Sequence, residues 1–298
     1  MLIIIKSINT TFILVIEGFL FMNILTIGNS FTWSLRRYLP QLVHAVNEKL
    51  NIQYMNFGGC ELHRHWGYIK AELDNPQIGI YGGLRMDKTL ESKDWNVVTI
   101  QQASHASWKE DTFEPYANNI ISFVKKHAPK AKIMIQQTWS YRADHPQFLP
   151  NSEWGITQDE MYEKLTYNYV NLAKKYQLDI IPTGLAVQLS RQDSPVKFKP
   201  YDLKFLENLT WPDLPMQAGD VVGNIFWKKG EDGEMTLCKD LIHLNLRGDY
   251  LQACLWLICL YGINPHDTSK YFIPDEIGNK DAEFLRDIAI KAANTSLF

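Results

Sequence analysis

Short apolar runs alternate along the chain with segments whose apolar residues recur at helical spacing. The runs that predict strands are ILTIG (24–28), IQYMNF (52–57), WNVVTIQ (95–101), AKIMIQQ (131–137) and LDIIP (178–182). Helical spacing covers 34–50, 115–128, 158–176, 249–261 and 281–293. Strands that alternate with helices are typical of a parallel sheet covered on both faces. The pattern therefore predicts an α/β fold, a three-layer α/β/α sandwich around a flavodoxin-like parallel five-stranded sheet.

Residues 183–236 interrupt this alternation with four prolines and the turn sequence GEDGE at 230–234. A segment of this length without a clear pattern is typically a functional loop, and we interpret it as an insertion or lid. It divides a domain that we place at 22–265. Residues 266–298 are predicted to be a C-terminal helical extension.

The first residues, 1–21, are apolar, but Glu17 interrupts them and no small-residue cleavage site follows. They are either a signal peptide or the product of an upstream start, with Met22 as the true start. The protein is expected to be exported in the first case and cytoplasmic in the second. No stable membrane insertion is predicted.

Composition narrows the classes of function. Charged residues make up 21% of the chain and the formal net charge is -3, which offers no basic surface for a nucleic acid. The four cysteines form no C-x-x-C pair, so neither a zinc ribbon nor a disulfide framework is indicated. We expect no metal and no cofactor, and the number of subunits stays open.

Polar side chains gather where the predicted strands end. Gly28-Asn29-Ser30 follows the first strand, a Gly-Gly pair the second, QQASH (101–105) the third and Trp139 the fourth, while Asp240 and His243 precede the last long helix. The carboxyl ends of parallel strands share one edge of a sheet, where ligands bind. A site is therefore expected at this edge.

These motifs in this order resemble the SGNH (GDSL-like) hydrolase superfamily. GNSFTW, GGCELHRHW, WNVVTIQQASHASW, QQTWSYR and DLIHLNLRGDYLQACLW look like an uncharacterised branch of it, over roughly residues 22 to 263. The resemblance implies a serine esterase with Ser30 as nucleophile, His243 as general base and Asp240 as its orienter. Many relatives deacetylate glycans, so it also implies a small-molecule or glycan ester as substrate.

An acyl transfer also needs donors for the developing oxyanion. We assign the backbone N–H groups of Ser30 and Gly59, and a third donor from QQASH. The superfamily usually carries Gly-x-Asn-Asp at that point, whereas this chain offers the Gln102 amide and, in the asparagine slot, the Ser104 hydroxyl. Gln102 is the favoured choice.

Aromatic residues beyond the strand ends predict a surface for sugar rings. We assign this role to Trp33, Trp66, Trp108 and Trp139, with His105 supporting the site. The same tryptophans also suit core packing, and a lone Ser30 also suits a helix cap.

Other classes of function stay open. One is a non-catalytic glycan-binding protein on a degenerate fold, and another is a phosphate or flavin site at GNSFTWS, although no G-x-G-x-x-G is present. A zinc site is a third, with the possible ligands Cys60, His63, His65, Cys238 and His243.

Overall fold

The computed structural model describes residues 21–201, 203–268 and 272–297. The predicted leader 1–21, except for Phe21, lies outside these residues. Five parallel strands form the central sheet in the order β2-β1-β3-β4-β5. They are β1 (Phe21–Gly28), β2 (Lys49–Asn56), β3 (Val97–Ile100), β4 (Lys132–Gln136) and β5 (Asp179–Ile181). This order is that of flavodoxin-like sheets and confirms the predicted fold class.

Helices cover the sheet on both sides. They are α1 (Leu35–Ala45), α2 (Leu62–Asp74), α3 (Met86–Glu91), α4 (Ser104–Ser107), α5 (Tyr116–His127), α6 (Gln158–Tyr176), α7 (Thr183–Asp193), α8 (Leu203–Glu207), α9 (Leu246–Tyr261) and α10 (Asn279–Asn294). One group packs α1 and α10 against α9, and α7 against α10; another packs α2 and α3 against α5. No helix in the described ranges is long and apolar enough to cross a membrane.

The apolar patterns decide where the core lies. Ile24, Leu25 and Ile27 of β1 are buried because this central strand has a neighbour on each side and helices on both faces. From Ala253 onwards helix α9 is apolar around its whole circumference, and Trp256 in this part is fully buried because α1, α7 and α10 surround the helix. The hydrophobic effect thus fixes the sheet in the middle of the molecule, with its carboxyl edge free for a site.

The segment predicted as an insertion contains regular structure. Helix α7 packs against α9 and α10, and residues further along form an antiparallel hairpin of β6 (Val222–Lys229) and β7 (Met235–Leu244). The GEDGE sequence is the turn of this hairpin. In the predicted C-terminal extension, α10 packs against α7 and α9. The bounds of the insertion and of the extension stay predictions.

Candidate active site

Ser30 lies on a tight turn directly after β1. The Asn29 side chain accepts a hydrogen bond from the Phe31 N–H at 3.2 Å, and the Trp33 N–H donates to the Ser30 carbonyl at 3.0 Å. The turn is a single 3-10 turn, Ser30–Thr32, and as its first residue Ser30 has an N–H without an acceptor inside the turn. The N-cap of this turn is therefore Asn29, and Ser30 is not the cap residue.

Buried glutamines hold this turn in place. The Gln101 amide donates to Asn29 Oδ1 at 2.6 Å, and its carbonyl oxygen accepts from the Thr32 hydroxyl at 2.7 Å. The Gln252 amide donates to the Phe31 carbonyl at 3.1 Å. Gln101 thus connects Asn29 with Thr32, on either side of Ser30 and Phe31. These bonds fix the backbone from which the Ser30 hydroxyl projects.

His65 supports the same turn from α2. It is fully buried between the Tyr81 hydroxyl, at 2.8 Å from Nδ1, and the Gly28 carbonyl, at 2.9 Å from Nε2. Because the carbonyl can only accept, Nε2 carries the proton and donates to it. Burial lowers the pKa of His65 to about 4, against a smaller opposing effect of the Gly28 hydrogen bond. The ring is therefore a neutral brace beneath the serine turn.

Ser30, His243 and Asp240 form a continuous chain of hydrogen bonds. The distance from Ser30 Oγ to His243 Nε2 is 2.8 Å, and that from His243 Nδ1 to Asp240 Oδ2 is also 2.8 Å. A carboxylate accepts, so Nδ1 carries the proton and the lone pair of Nε2 faces the serine hydroxyl. This is the arrangement in which an imidazole can take a proton from a serine.

Asp240 is held as a charged group. Burial alone would raise its pKa, but hydrogen bonds from the His243 ring and from the N–H groups of His243 and Ile242 lower the pKa to about 2. The two backbone donors both bond Oδ1, at 3.0 and 3.1 Å. The two oxygens of the carboxylate therefore act on different groups, because Oδ1 fixes the loop and Oδ2 fixes the ring.

The hairpin brings the histidine to the serine. Asp240 and His243 lie near the end of β7, a strand outside the main sheet. The fully buried Trp139, after β4, donates through Nε1 to the Ile242 carbonyl at 2.9 Å, and the Arg142 N–H donates to the Leu241 carbonyl at 3.0 Å. These bonds attach the hairpin to the carboxyl edge of the sheet.

Ser30 and His243 line a cleft of about 820 Å³. Its walls include the serine turn, Gly58 and Gly59, the start of α4 at Ser104 and His105, and residues of α1. Gly59 has a φ of +58°, a backbone conformation that glycine adopts without steric cost. A residue with a Cβ at this position would strain the turn that lines the cleft.

Gln102 does not face the serine, and the expectation that its amide is an oxyanion donor is corrected. Its amide donates to the Thr112 carbonyl at 2.8 Å and to the Thr112 hydroxyl at 3.1 Å, while its oxygen accepts from the Leu62 N–H at 2.9 Å. Both ends are thus engaged away from the cleft. Ser104 does line the cleft, where its hydroxyl shares a 2.8 Å hydrogen bond with the Tyr141 hydroxyl.

The four tryptophans separate into different environments. Trp33 is 37% exposed and lines the cleft. Trp139 touches the cleft but is fully buried, stacked on Phe31 with 3.9 Å between ring centroids. Trp66 packs edge-on against an α5 side chain and Trp108 against Trp154, and neither is among the cleft residues. The expectation of sugar contacts is corrected for Trp66 and Trp108, which are packing residues.

His105 lies at the rim of the cleft. Its Nε2 is 3.0 Å from Glu61 Oε1, and its side chain is 42% exposed. The carboxylate orients the ring, so His105 can contact a substrate but is not part of the Ser30 hydrogen-bond chain.

The residues considered for zinc are used differently. Cys60 is buried, and burial raises the pKa of its thiol to about 12, while His65 braces the serine turn. Among the residues that the structure describes, no three His, Cys, Asp or Glu side chains are arranged to hold a metal ion.

Sequence reasoning missed several cleft residues. Arg36 and Arg37 of α1, Asp249 of α9 and Tyr141 line the cleft beside the triad. Arg36 and Arg37 carried a usable signal, because they follow the serine by about two helical turns and so stay near it. Asp249 follows His243 by six residues and Tyr141 follows Trp139 by two, so both carried a similar signal.

The comparisons with known proteins agree with this fold. A family model described as "Domain of unknown function (DUF4886)" matches residues 23–199. The crystal structure of a DUF4886 family protein from Bacteroides uniformis ATCC 8492 matches with a TM-score of 0.66 and 23% sequence identity, over 91% of this chain and 94% of that one. At this identity the match shows a shared fold. No curated protein matches the chain significantly in sequence.

The chain is also structurally similar to SGNH and GDSL-type proteins, the superfamily that the motifs resemble. A protein proposed to be an SGNH hydrolase, from Slackia heliotrinireducens, has a TM-score of 0.45 and 19% identity over 78% of this chain and 95% of that one. A member of the lipolytic G-D-S-L family from Veillonella parvula DSM 2008 has a TM-score of 0.43 and 12% identity over 81% and 100%.

Proposed function

The chain belongs to the DUF4886 family, and we propose that this member is a serine esterase that removes acyl groups, acetyl among them, from carbohydrates. The observation that carries the proposal is the chain of two 2.8 Å hydrogen bonds from Ser30 through His243 to Asp240, at the wall of an open cleft. A buried serine cap would not need an imidazole with its own carboxylate.

The proposed reaction proceeds through an acyl-enzyme. Ser30 Oγ attacks the ester carbonyl carbon while its proton moves to His243 Nε2, and Asp240 stabilises the imidazolium that results. The tetrahedral intermediate collapses, the ester C–O bond breaks, and His243 gives the proton to the leaving alcohol. Water then attacks the acyl carbonyl while His243 Nε2 takes its proton, the bond between the acyl group and Ser30 Oγ breaks, and His243 returns the proton to Ser30 as the acid leaves.

Three donors are proposed for the oxyanion. The N–H groups of Ser30 and Gly59 come from two loops that line the cleft. Ser104 replaces Gln102 as the third, because its hydroxyl lies in the cleft and a tyrosine hydroxyl holds it. Removal of one such donor typically lowers kcat by ~10² to 10³.

The carbohydrate part of the proposal is supported by Trp33. Its indole is the exposed tryptophan of the cleft wall, three residues after the nucleophile, and a flat indole face suits a sugar ring. A sugar stacked there lies next to Ser30, as an ester on one of its hydroxyls requires.

Hydrolysis of p-nitrophenyl acetate tests the proposal. The wild type is expected to release p-nitrophenolate, and Ser30→Ala and His243→Ala to lose nearly all of that rate while keeping the wild-type Tm. Ser92→Ala is the matched control, since Ser92 precedes β3 at the opposite edge of the sheet. A fluorophosphonate should label Ser30, as mapped by mass spectrometry.

Unchanged rates in Ser30→Ala and His243→Ala would refute the triad. If the wild type hydrolyses no ester and takes no label but binds acetylated oligosaccharides, the glycan-binding alternative is correct instead.

A further inference from the structure

One wall of the cleft is a single helical segment that starts at the nucleophile. Trp33 and Ser34 after the serine turn have right-handed helical backbone and lead directly into α1. Ser30, Trp33, Arg36 and Arg37 all line the cleft. At a rise of about 1.5 Å per residue, the two arginines lie about 10 Å along the axis from Ser30.

The two arginines differ in their partners. Arg37 Nε is 3.0 Å from Asp249 Oδ2, a largely buried carboxyl group whose pKa is raised by burial to about 7, so Arg37 is already held by an acidic side chain of the protein. Within the ranges that the structure describes, the Arg36 guanidinium takes part in no ion pair. Arg36 therefore brings an unmatched positive charge to the cleft of a protein whose net charge is -3.

Arg36 is held by aromatic rings instead of a carboxylate. Its Cζ lies 4.5 Å from the ring centroid of Tyr54 and 5.6 Å from that of Trp33. Stacking of this kind fixes the plane of a guanidinium and leaves its N–H groups at the edge. An arginine that is already oriented loses less conformational entropy when it binds a ligand, and its fork matches a carboxylate with two hydrogen bonds.

Trp33 joins this arginine to the reaction centre. A Cβ built on Gly58 would lie 3.8 Å from Trp33 Cη2, so the indole reaches from the glycine turn to Arg36. A sugar ring on this indole would lie between the glycine turn and the guanidinium.

We propose that the cleft selects esters of acidic sugars, with the sugar ring on Trp33 and its carboxylate paired with Arg36. This substrate class rests on the proposed esterase function. A uronic acid carries its carboxylate on C5, opposite C2 across the ring, so the carboxylate and an ester on the C2 hydroxyl lie at the two ends of the sugar.

The test compares two sets of mono-acetylated methyl glycosides that differ only at C6, which is a carboxylate in the glucuronoside and a CH₂OH group in the glucoside. For the preferred acetyl position, the wild type should show a kcat/KM about ten- to a hundred-fold higher for the glucuronoside, the range expected for a charge-assisted hydrogen-bonded pair. Arg36→Gln should bring that ratio close to one. Arg36→Lys should fall between, because an ammonium keeps the charge but loses the fork.

The control variant is Lys126→Gln, which removes one positive charge from the exposed surface of α5 and should keep the wild-type ratio. A wild-type ratio near one, or a ratio unaffected by Arg36→Gln, would overturn the proposal. Loss of the preference in Arg37→Gln alone would also overturn it, since the carboxylate would then pair with the other arginine.

A binding arm separates this proposal from the esterase proposal. Isothermal titration of Ser30→Ala with unacetylated methyl glucuronoside and methyl glucoside requires no turnover. Preferential binding of the glucuronoside, lost in the Ser30→Ala/Arg36→Gln double variant, supports the carboxylate site even if no ester is cleaved. Hydrolysis of p-nitrophenyl acetate together with equal binding of both glycosides would refute the carboxylate site and leave the esterase intact.

Discussion

Substitution of Asp240 by asparagine changes the charge of the triad while its shape stays nearly constant. Oδ1 of Asp240 accepts from two backbone N–H groups, and Oδ2 accepts from His243 Nδ1. An asparagine has one oxygen for these two sides. If the oxygen stays on the two backbone donors, its NH₂ group faces Nδ1, which must then accept. The proton moves to Nε2 and the ring can no longer accept the serine proton.

The opposite rotamer is disfavoured because it turns the NH₂ group towards two backbone donors, and each unsatisfied buried donor costs about 1 to 3 kcal/mol. The wrong tautomer is therefore expected to dominate. A return to the tautomer that can accept the serine proton breaks at least one hydrogen bond, which costs about 1 kcal/mol. The charge pair adds about 1 kcal/mol in water and about 4 kcal/mol at a partly buried site for charges 4 Å apart.

The side chains of Asp240 and His243 are 35% and 37% exposed, so the charge effect lies between these limits. The sum, about 2 to 5 kcal/mol, corresponds to a rate loss of about 30-fold to 5,000-fold. The measurement is kcat/KM for p-nitrophenyl acetate, beside the unfolding free energy from urea titration. Asp232→Asn in the turn of the same hairpin is the matched control and should keep full activity. A rate within threefold of wild type for Asp240→Asn would refute this account of the triad.

Three further substitutions test the packing around the site. Gly28→Ala places a Cβ 2.9 Å from the Gln101 side chain, so we expect the unfolding free energy to fall by about 1 to 3 kcal/mol and kcat to fall more than KM changes; full activity would show that Gln101 does not position the serine turn. The pKa of His65 is lowered to about 4 by burial, so the unfolded state binds the extra proton first and stability should decrease as pH falls from about 6.5 to 4. Urea titrations should show that the unfolding free energy of His65→Gln decreases less over this pH range than that of the wild type. An equal dependence on pH would contradict the assignment of this effect to His65. Gly184→Ala puts a Cβ 2.2 Å from a backbone carbonyl oxygen and should lower Tm by several degrees, whereas Gly67→Ala meets no atom within 4 Å and should not; equal Tm values would refute the steric argument.

The fold was largely predictable because burial on both faces leaves a clear record in the sequence. A nearly continuous apolar run such as WNVVTIQ is typical of a strand that is buried on both faces of a parallel sheet. The hairpin was not predicted, because its strands lie half-exposed and polar residues interrupt both of them. The short helix at Thr183 was missed for a similar reason, since the prolines that follow it dominated the pattern.

The pair Gln101 and Gln102 shows where site prediction from sequence stops. Both follow β3, and consecutive residues of an extended chain point to opposite sides. One reaches the serine turn and the other the loop at Thr112. From the sequence, either glutamine could face the serine turn. Which side of the sheet carries that turn depends on the packing of the whole molecule.

The exposure of the tryptophans was also not predictable from their positions in the sequence. Trp33 and Trp139 both line the cleft, yet the first is exposed and the second is stacked beneath it. Their positions relative to strand ends are alike in sequence. The contact of Ser30, His243 and Asp240 was easier to predict, since these three residue types have few other reasons to occur in this order.

The hairpin has a consequence for control of the proposed esterase activity. Asp240 and His243 are three residues apart on one strand, while Ser30 lies on the turn that follows β1 of the main sheet. A tilt of the hairpin thus changes a single separation of the triad, and the imidazole and its carboxylate move away as one preassembled unit. A molecule bound between the hairpin and the sheet would separate His243 from Ser30 without breaking the hydrogen bond between His243 and Asp240. The inhibition would therefore be reversible once the molecule dissociated.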